Sequence, residues 1–223
     1  MKKTEPATIT PERAEKIRRM LSRRQVDFEL YLDDVSSSQN LSAILRSADA
    51  VGILRLFYAL RSDQTPKIHK TITQGAHRWV RKRRIPWRER CELLEQKHSQ
   101  GIQIVAAHLQ PGALEFRSID YTRPTLLIVG NEKEGVSPEI IDRVDHSIVI
   151  PMMGMVQSLN VSAATTVILY EMQRQRQAAG LYEKPTLSEE EIEAITRGLI
   201  YRDSVARRSK GKIPAEEKLW LQW

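Results

Sequence analysis

The residues best placed to do chemistry fall in three short segments of the sequence, 40–46, 130–135 and 150–160. The first runs from Asn40 to Arg46, the second reads Gly-Asn-Glu-Lys-Glu-Gly, and the third is an apolar, glycine-containing loop that leads into Ser158 and Asn160. Amides and hydroxyls both donate and accept hydrogen bonds, carboxylates accept them and guanidinium groups donate them, so together they can orient a hydroxyl group or an anion. The same residues could instead cap helices or lie solvated on the surface.

The elements around these segments indicate an α/β fold with a mostly parallel sheet. Apolar or alternating runs predict strands over 26–32, 53–59, 102–109, 125–130 and 147–150. Helical spacing and capping residues predict helices over 40–51, 87–100, 137–144 and 158–179. Strands that alternate with helices form parallel sheets with helices on both faces. Segment 130–135 then follows the end of a buried strand, on the edge where such sheets bind ligands.

Helical extensions flank the predicted core. The sequence Thr10-Pro11-Glu12 is typical of a helix start, so residues 1–25 are predicted to form a basic N-terminal helical extension. Residues 26–180 are predicted to form the core, and residues 181–223 a charged, helical C-terminal extension.

Positive charge is concentrated in three clusters, and the chain has a formal net charge of +7. The first comprises Lys2, Lys3, Arg13, Lys16, Arg18, Arg19, Arg23 and Arg24; the second Arg78, Arg81, Lys82, Arg83, Arg84, Arg88 and Arg90 with Trp79 and Trp87; the third Arg202, Arg207, Arg208, Lys210 and Lys212. Such clusters can neutralise phosphates, and Arg and Trp can stack on bases. We therefore predict a polyanionic partner, although charge alone does not separate RNA from DNA, an anionic lipid or an ordinary solvated surface.

Several classes of protein are disfavoured by what the sequence lacks. No apolar run approaches the ~20 residues of a membrane span, and the N-terminus lacks the apolar stretch of a secretion signal, so a cytoplasmic protein without membrane attachment is expected. The single Cys91 and the scattered histidines have no metal-ligand spacing, so no metal is expected. There is no G-x-G, no P-loop and no G-x-S-x-G elbow, which disfavours the common dinucleotide, nucleotide and hydrolase sites.

The three polar segments, taken in order, resemble the signature motifs of the SpoU/TrmH family of SPOUT RNA methyltransferases. The chain contains N-x-x-A-x-x-R from Asn40, G-x-E-x-x-G from Gly130 and I-P-M-x-G-x-x-x-S-L-N-V-S from Ile150. The resemblance covers about residues 10–180. Within the family, 120–124, 154–158 and 170–176 look like the tRNA (guanosine-2′-O)-methyltransferase branch. The resemblance to the family implies an α/β fold with a deep C-terminal trefoil knot, a homodimer, and S-adenosylmethionine bound in the knot.

The activity that this resemblance implies is 2′-O-methylation of a guanosine ribose in tRNA, at guanosine 18 of the D-loop. Two alternatives stay open, namely the same chemistry on 23S rRNA and an inactive RNA-binding protein on the same scaffold. Ribosomal members of the family commonly carry a separate N-terminal RNA-binding domain, and the short stretch before Asn40 favours tRNA.

The resemblance also implies catalytic roles for five residues. They are Asn40, Arg46, Glu132, Ser158 and Asn160. A guanidinium has a pKa above ~12 and is normally no base, so Arg46 either loses its proton in a special environment or orients the ribose hydroxyl while another group takes the proton. Asn40 is expected to fix Arg46 or the ribose, or to cap its helix, and Glu132 to pair with Arg46 or to order its loop.

Family positions that contact the cofactor or RNA match further residues. Those expected to contact S-adenosylmethionine, largely through the backbone, are Ala107, Gly130, Ile150 and Leu159. Ala107 stands where the family often has threonine. Those expected to contact tRNA phosphates are Arg13, Arg23, Arg24, Arg174 and Arg176, the last two on the polar face of the motif helix. Met152, Met153 and Met155 are expected to line the pocket and an interface.

Overall fold

The computed structural model describes residues 10–208, with side chains as far as residue 200. Its strands are β1 (Phe28–Asp33), β2 (Arg55–Ala59), β3 (Arg81–Arg84), β4 (Gln103–Ala107), β5 (Leu114–Glu115), β6 (Thr125–Gly130) and β7 (His146–Val149). Its α-helices are α1 (Pro11–Leu21), α2 (Ser38–Ala50), α3 (Lys70–Thr73), α4 (Arg90–Ser99), α5 (Pro138–Ile141), α6 (Val161–Ala178) and α7 (Glu189–Arg208). Short 3₁₀ turns occupy 76–78, 87–89 and 116–118.

The strands of the described chain form one seven-stranded sheet in the order β3-β2-β1-β6-β4-β7-β5. Every pair is parallel. One apolar cluster joins one face of the sheet to α2 and α6, and a second joins the other face to α4 and α5. The predicted α/β class, with a parallel sheet and helices on both of its faces, is therefore confirmed.

The central strand β1 is buried on both faces, although its sequence alternates between apolar and polar residues. Burial of its polar positions requires partners, since an isolated buried charge is costly. The carboxylate of Glu29 forms ion pairs with Lys97 and with Arg55, the latter at 3.2 Å. Alternation predicted the strand correctly but not the burial of its second face.

Two strands were missed by the sequence prediction. In β3 four consecutive basic residues pair with β2 at the sheet edge, and β5 has only two residues, Leu114 and Glu115. Neither segment has an apolar pattern that would predict a strand. Each is extended because it pairs with a neighbouring strand.

The predicted helix starts are partly confirmed. Thr10 caps α1 and Asn160 caps α6 through their side chains, and Pro11 occupies the first turn of α1. Asn40, however, is not a helix cap. The cap of α2 is Ser37, whose side chain accepts a hydrogen bond from the backbone N–H of Asn40 at 3.3 Å.

By its contacts the chain divides into two units, 25–182 and the two terminal segments on either side of it. In the terminal unit α1 packs against α7, with Ile17, Leu21, Leu187 and Ile192 buried. The three-part division at 25 and 180 stays a prediction. Lys2, Lys3 and the side chains of the third basic cluster lie outside the described residues. No helix between residues 10 and 208 combines the length and apolarity of a membrane span.

Candidate active site

Side chains from the three polar segments meet at the carboxyl edge of the sheet. The amide of Asn160 donates a hydrogen bond to Asn40 Oδ1 at 3.2 Å, and the amide of Asn40 in turn donates to the carboxylate of Glu132. Asn40 lies in the first turn of α2, Glu132 in the loop after β6, and Asn160 at the start of α6. Parallel strands end at a common edge, so residues far apart in sequence come together there.

The loop that carries Glu132 folds tightly back over the end of β6. Asn131 and Gly135 exchange two backbone hydrogen bonds of 2.9 Å, and Gly135 has a positive φ of 73°. A Cβ on Gly130 would lie 2.1 Å from the backbone of Gly135, so only glycine fits at this position. The loop is tied to its neighbours by Asn131, which donates to the Asp34 carbonyl, and by an ion pair of Glu134 with Arg61.

A buried aspartate fastens the far end of this loop. Asp33, the last residue of β1, accepts hydrogen bonds from the backbone N–H of Ser137 at 2.8 Å and from its hydroxyl at 2.5 Å. Its other oxygen accepts from the hydroxyl of Tyr31 at 3.0 Å. Burial, and after it the negative charge of Asp33, raises the pKa of the Tyr31 phenol. A fully satisfied buried network of this kind holds the surrounding loop in one conformation.

Arg46 lies on the exposed side of α2, a turn and a half beyond Asn40. Its guanidinium donates a hydrogen bond to the carbonyl of Ile72 at 3.3 Å. The expected pairing of Glu132 with Arg46 is wrong, because the hydrogen-bond partner of Glu132 is Asn40. Asn40 likewise bonds to Glu132 and Asn160 instead of Arg46, whose side chain is exposed to solvent.

The four cofactor candidates lie at the same edge. Ala107, Gly130 and Ile150 stand at or just after the ends of β4, β6 and β7, and these three strands are adjacent in the sheet. Ala107 and Ile150 are partly buried against the apolar core, whereas Leu159 is 37% exposed. Ser158 is exposed in the same loop.

The backbone of the third segment is available to a ligand. Within the described chain no backbone hydrogen bond involves a residue between Ile150 and Leu159. Backbone N–H and C=O groups require a partner, which solvent, a bound molecule or a second chain can supply. An apolar loop with free backbone groups fits the adenine ring of S-adenosylmethionine, which needs both an apolar slot and hydrogen bonds at its edge.

Two of the arginines expected to contact RNA are buried. Arg176 is fully buried in a site that is described below, and Arg24 is 1% exposed, with its Nε at 3.1 Å from Met20 Sδ. Neither can reach a phosphate, so both assignments are wrong. Arg13 and Arg23 are exposed, and Arg174 is exposed but paired with Glu171. Hydrogen bonds from Arg174 lower the pKa of Glu171.

Arg176 instead joins three parts of the core. Its guanidinium donates to Asp27 at 2.7 and 3.1 Å, to Gln25 at 2.9 Å, and to the carbonyls of Tyr121 at 2.8 Å and Arg123 at 3.1 Å. The polar pattern of α6 does not predict any of these hydrogen-bond partners. A buried arginine whose donors all form hydrogen bonds has a structural role, because it holds the bonded segments together.

Other supporting residues also escaped prediction. Asp33 with Ser137, the carbonyl of Ile72, and the Arg61–Glu134 pair all hold the motif residues in place. The only signal in the sequence is that Asp33 ends a buried strand; a backbone carbonyl leaves no signal at all. Among the described residues no group of three or more His, Cys, Asp or Glu is arranged to hold a metal ion.

Comparison with known proteins links this arrangement to one family. Residues 27–170 match the family model described as the SpoU rRNA Methylase family. The chain is 46% identical over 202 residues to the tRNA (guanosine(18)-2′-O)-methyltransferase of Aquifex aeolicus, covering 91% of this chain and 95% of that one.

The solved structures similar to this fold include two crystal structures. One is the TrmH/SpoU tRNA modifying enzyme of A. aeolicus, with a TM-score of 0.82, 47% identity and coverage of 86% of this chain and 96% of that one. The other is the SpoU methyltransferase AviRb of Streptomyces viridochromogenes in complex with AdoMet, with a TM-score of 0.61, 32% identity and coverage of 70% and 64%.

Proposed function

The chain belongs to the SpoU rRNA methylase family, and on that premise we propose that it transfers a methyl group from S-adenosylmethionine to the ribose 2′-hydroxyl of guanosine 18 in tRNA. The observation that carries the proposal is the hydrogen-bonded series Asn160–Asn40–Glu132, which joins the three family motifs at one sheet edge. The A. aeolicus relative, named for this reaction, is matched over 95% of its length, which favours tRNA over rRNA.

S-adenosylmethionine supplies a sulfonium methyl group, whose transfer forms an oxygen–carbon bond, breaks the sulfur–carbon bond and releases the hydroxyl proton. The chain has to hold the 2′-oxygen in line and assist departure of that proton. Arg46 is assigned the orienting role, since its guanidinium is held by the Ile72 carbonyl and faces solvent. Asn40 and Glu132 order the same surface, and Asn160 connects it to the loop 150–160.

The residues proposed to hold S-adenosylmethionine are Ala107, Gly130, Ile150 and Leu159. Support comes from the position of three of them at adjacent strand ends and from the free backbone of residues 151–158. Titration calorimetry with S-adenosylmethionine tests this: we expect Gly130→Ala to weaken binding at least tenfold, and unchanged affinity would contradict the assignment.

A deep C-terminal trefoil knot is part of the proposal. β6 lies between the earlier strands β1 and β4, and Asn160, beyond β7, returns to Asn40, so the chain passes back to the middle of its own sheet. Threading of this kind is rare among folds. An experimental backbone trace of 125–178 that does not pass through its own loop would contradict it.

A homodimer acting in the cytoplasm completes the proposal. Large apolar side chains are exposed on the loop 150–160 and on one side of α6, among them Met153, Met155, Val167 and Tyr170. An apolar patch of this kind indicates a protein interface, and a second copy of the chain is the proposed occupant.

The activity is tested with the purified protein and S-adenosylmethionine labelled in its methyl group. We expect label in an unmodified tRNA transcript, none in the same tRNA with guanosine 18 replaced, and none in 23S rRNA. Loss of activity in Arg46→Ala with unchanged cofactor binding would support the role of Arg46.

The alternative functions give different outcomes in the same assay. Label in 23S rRNA alone would establish the ribosomal substrate, and RNA binding without any transfer would establish an inactive binder. Either result would overturn the proposal. Full turnover by Arg46→Ala would remove Arg46 from the mechanism.

A further inference from the structure

The segment 67–72 is fastened along one face of α2. The hydroxyl of Ser38 accepts from the backbone N–H of Lys67 at 2.9 Å, and the hydroxyl of Ser42 accepts from that of His69 at 2.9 Å. Arg46 then donates to the carbonyl of Ile72. These three helix residues are spaced by four, so they line one face of α2 over about 12 Å. We call the segment 67–72 the strap.

The strap presents positive charge directly beside the proposed catalytic arginine. Lys67, His69 and Lys70 are exposed, and no Asp or Glu occurs between Gln64 and Arg88 in the sequence. Among the described ion pairs, none involves Lys67 or Lys70. Within the part of the chain that the structure describes, their charges are therefore not neutralised by a carboxylate.

The excess of positive charge continues from the strap to the sheet edge. Arg83 and Arg84 are exposed on β3, and Arg84 donates to the carbonyls of Ser62 and Asp63. Arg84 is in register with Tyr58, which packs on the α2 face of the sheet, so its charge adds to that of the strap, whereas Arg83 points to the opposite face. Positive charge of this kind is typical of a surface that binds a nucleic acid backbone.

We propose that Lys67 and Lys70 of the strap bind phosphates of the RNA strand next to the nucleotide whose ribose lies at Arg46. The proposal rests on the proposed methylation of tRNA and adds the surface that holds the strand. The strap runs along about 12 Å of α2, several times the ~3.4 Å of helix axis per phosphate of one duplex strand, so it can contact more than one phosphate. Because the backbone of the strap is fixed to α2, a bound phosphate would be placed at a constant distance from Arg46.

The test compares the double variant Lys67→Ala/Lys70→Ala with a control, Arg117→Ala/Arg143→Ala, which removes two positive charges elsewhere on the same unit. We expect the strap variant to raise the KM for tRNA at least tenfold, with kcat within twofold and the affinity for S-adenosylmethionine unchanged. The control should leave all three values near those of the unaltered protein.

A binding measurement separates this proposal from the methylation itself. The dissociation constant of the unmodified tRNA transcript is measured by filter binding over a range of salt concentrations. Loss of two phosphate contacts should make the logarithmic salt dependence less steep by about 1.4 to 1.8. An unchanged slope and an unchanged KM would overturn the role of the strap. A protein that binds tRNA through the strap but methylates nothing would instead overturn the proposed function.

Discussion

At the scale of single residues, Asn40 is the side chain on which the arrangement of the site depends most. It receives a hydrogen bond from Asn160 and gives one to Glu132, so it uses both the acceptor and the donor of its amide. No charged side chain of the same size can do both in its ionised form, because a carboxylate only accepts. The two asparagines therefore transmit the position of the Glu132 loop to the start of α6.

This leads to a prediction for Asn40→Asp, a change that keeps the shape and removes the donor. Two carboxylates would then face each other, and we expect kcat to fall at least a hundredfold at neutral pH. Shared proton binding raises the pKa of one member of such a pair, so activity relative to the unaltered protein should recover as the pH falls. A pH profile of single-turnover methylation checks this, and Glu132→Gln added to the variant should restore part of the rate at neutral pH.

A second prediction contrasts Arg176 with Arg174, two residues apart on α6. Arg176→Ala leaves Asp27 and two carbonyls without their donor, and we expect the free energy of unfolding to fall by about 3 kcal/mol. Arg174→Ala should leave the denaturation midpoint unchanged and weaken tRNA binding. Chemical denaturation and filter binding measure both effects. Equal stability of the two variants would contradict the structural role of Arg176.

These two arginines also show what polarity alone can predict about a site. Residues two apart on a helix point about 200° away from each other, so both could not lie on one polar face. The motifs located Asn40, Glu132 and Asn160 correctly at a common edge, since motif spacing reflects strand ends. Their partners were not predictable, because which side chain reaches Asn40 depends on loop conformations that neighbouring strands impose.

At the scale of elements, the loop 131–135 is the part of the site with the least freedom. The loop is restricted to one conformation because it folds back closely over Gly130. In addition, Asn131 and Gly135 exchange two backbone hydrogen bonds, and Asp33 accepts a hydrogen bond from Ser137. The elements predicted best were the buried strands β4 and β6 and the long helix α6, which have strong patterns of their own. The edge strand β3 consists of four basic residues, and pairing with β2 determines its conformation.

The prediction at this scale is Gly130→Ala. The added Cβ would meet the backbone of Gly135 at 2.1 Å, and backbone cannot move aside as a flexible side chain can. We expect a loss of about 2–3 kcal/mol in the free energy of unfolding together with the weaker cofactor binding described above. Thermal denaturation with and without S-adenosylmethionine measures both. The control is Gly154→Ala, where a Cβ meets nothing within 4 Å, and it should retain its stability.

At the scale of the whole molecule, unit 25–182 exposes apolar surface that the proposed second copy would cover. Val167 and Tyr170 lie on one side of α6, and Met153 and Met155 are almost fully exposed in the neighbouring loop. Burying side chains of this size releases about 1.5–3 kcal/mol each, so a second copy that covers them gains a substantial free energy.

The corresponding prediction is that Tyr170→Glu sediments as a monomer at micromolar concentration and loses most of its methylation activity. A charge placed in an apolar interface has no partner there and would have to be desolvated. Tyr170→Phe is the matched control and should remain a dimer in sedimentation velocity. A fully active monomer would contradict the dimer.

The pairing of β1 with β6 also determines when the centre of the sheet can form. Asp33 lies beside Gly130, roughly 100 residues later in the chain, and contacts so distant in sequence slow folding. During synthesis at about 5–20 residues per second, β1 is complete for several seconds before β6, its partner on that edge, exists. The edge of β1 that faces β6 stays unpaired throughout that interval, so the nascent first half of this protein presents a strand edge to which another chain could pair.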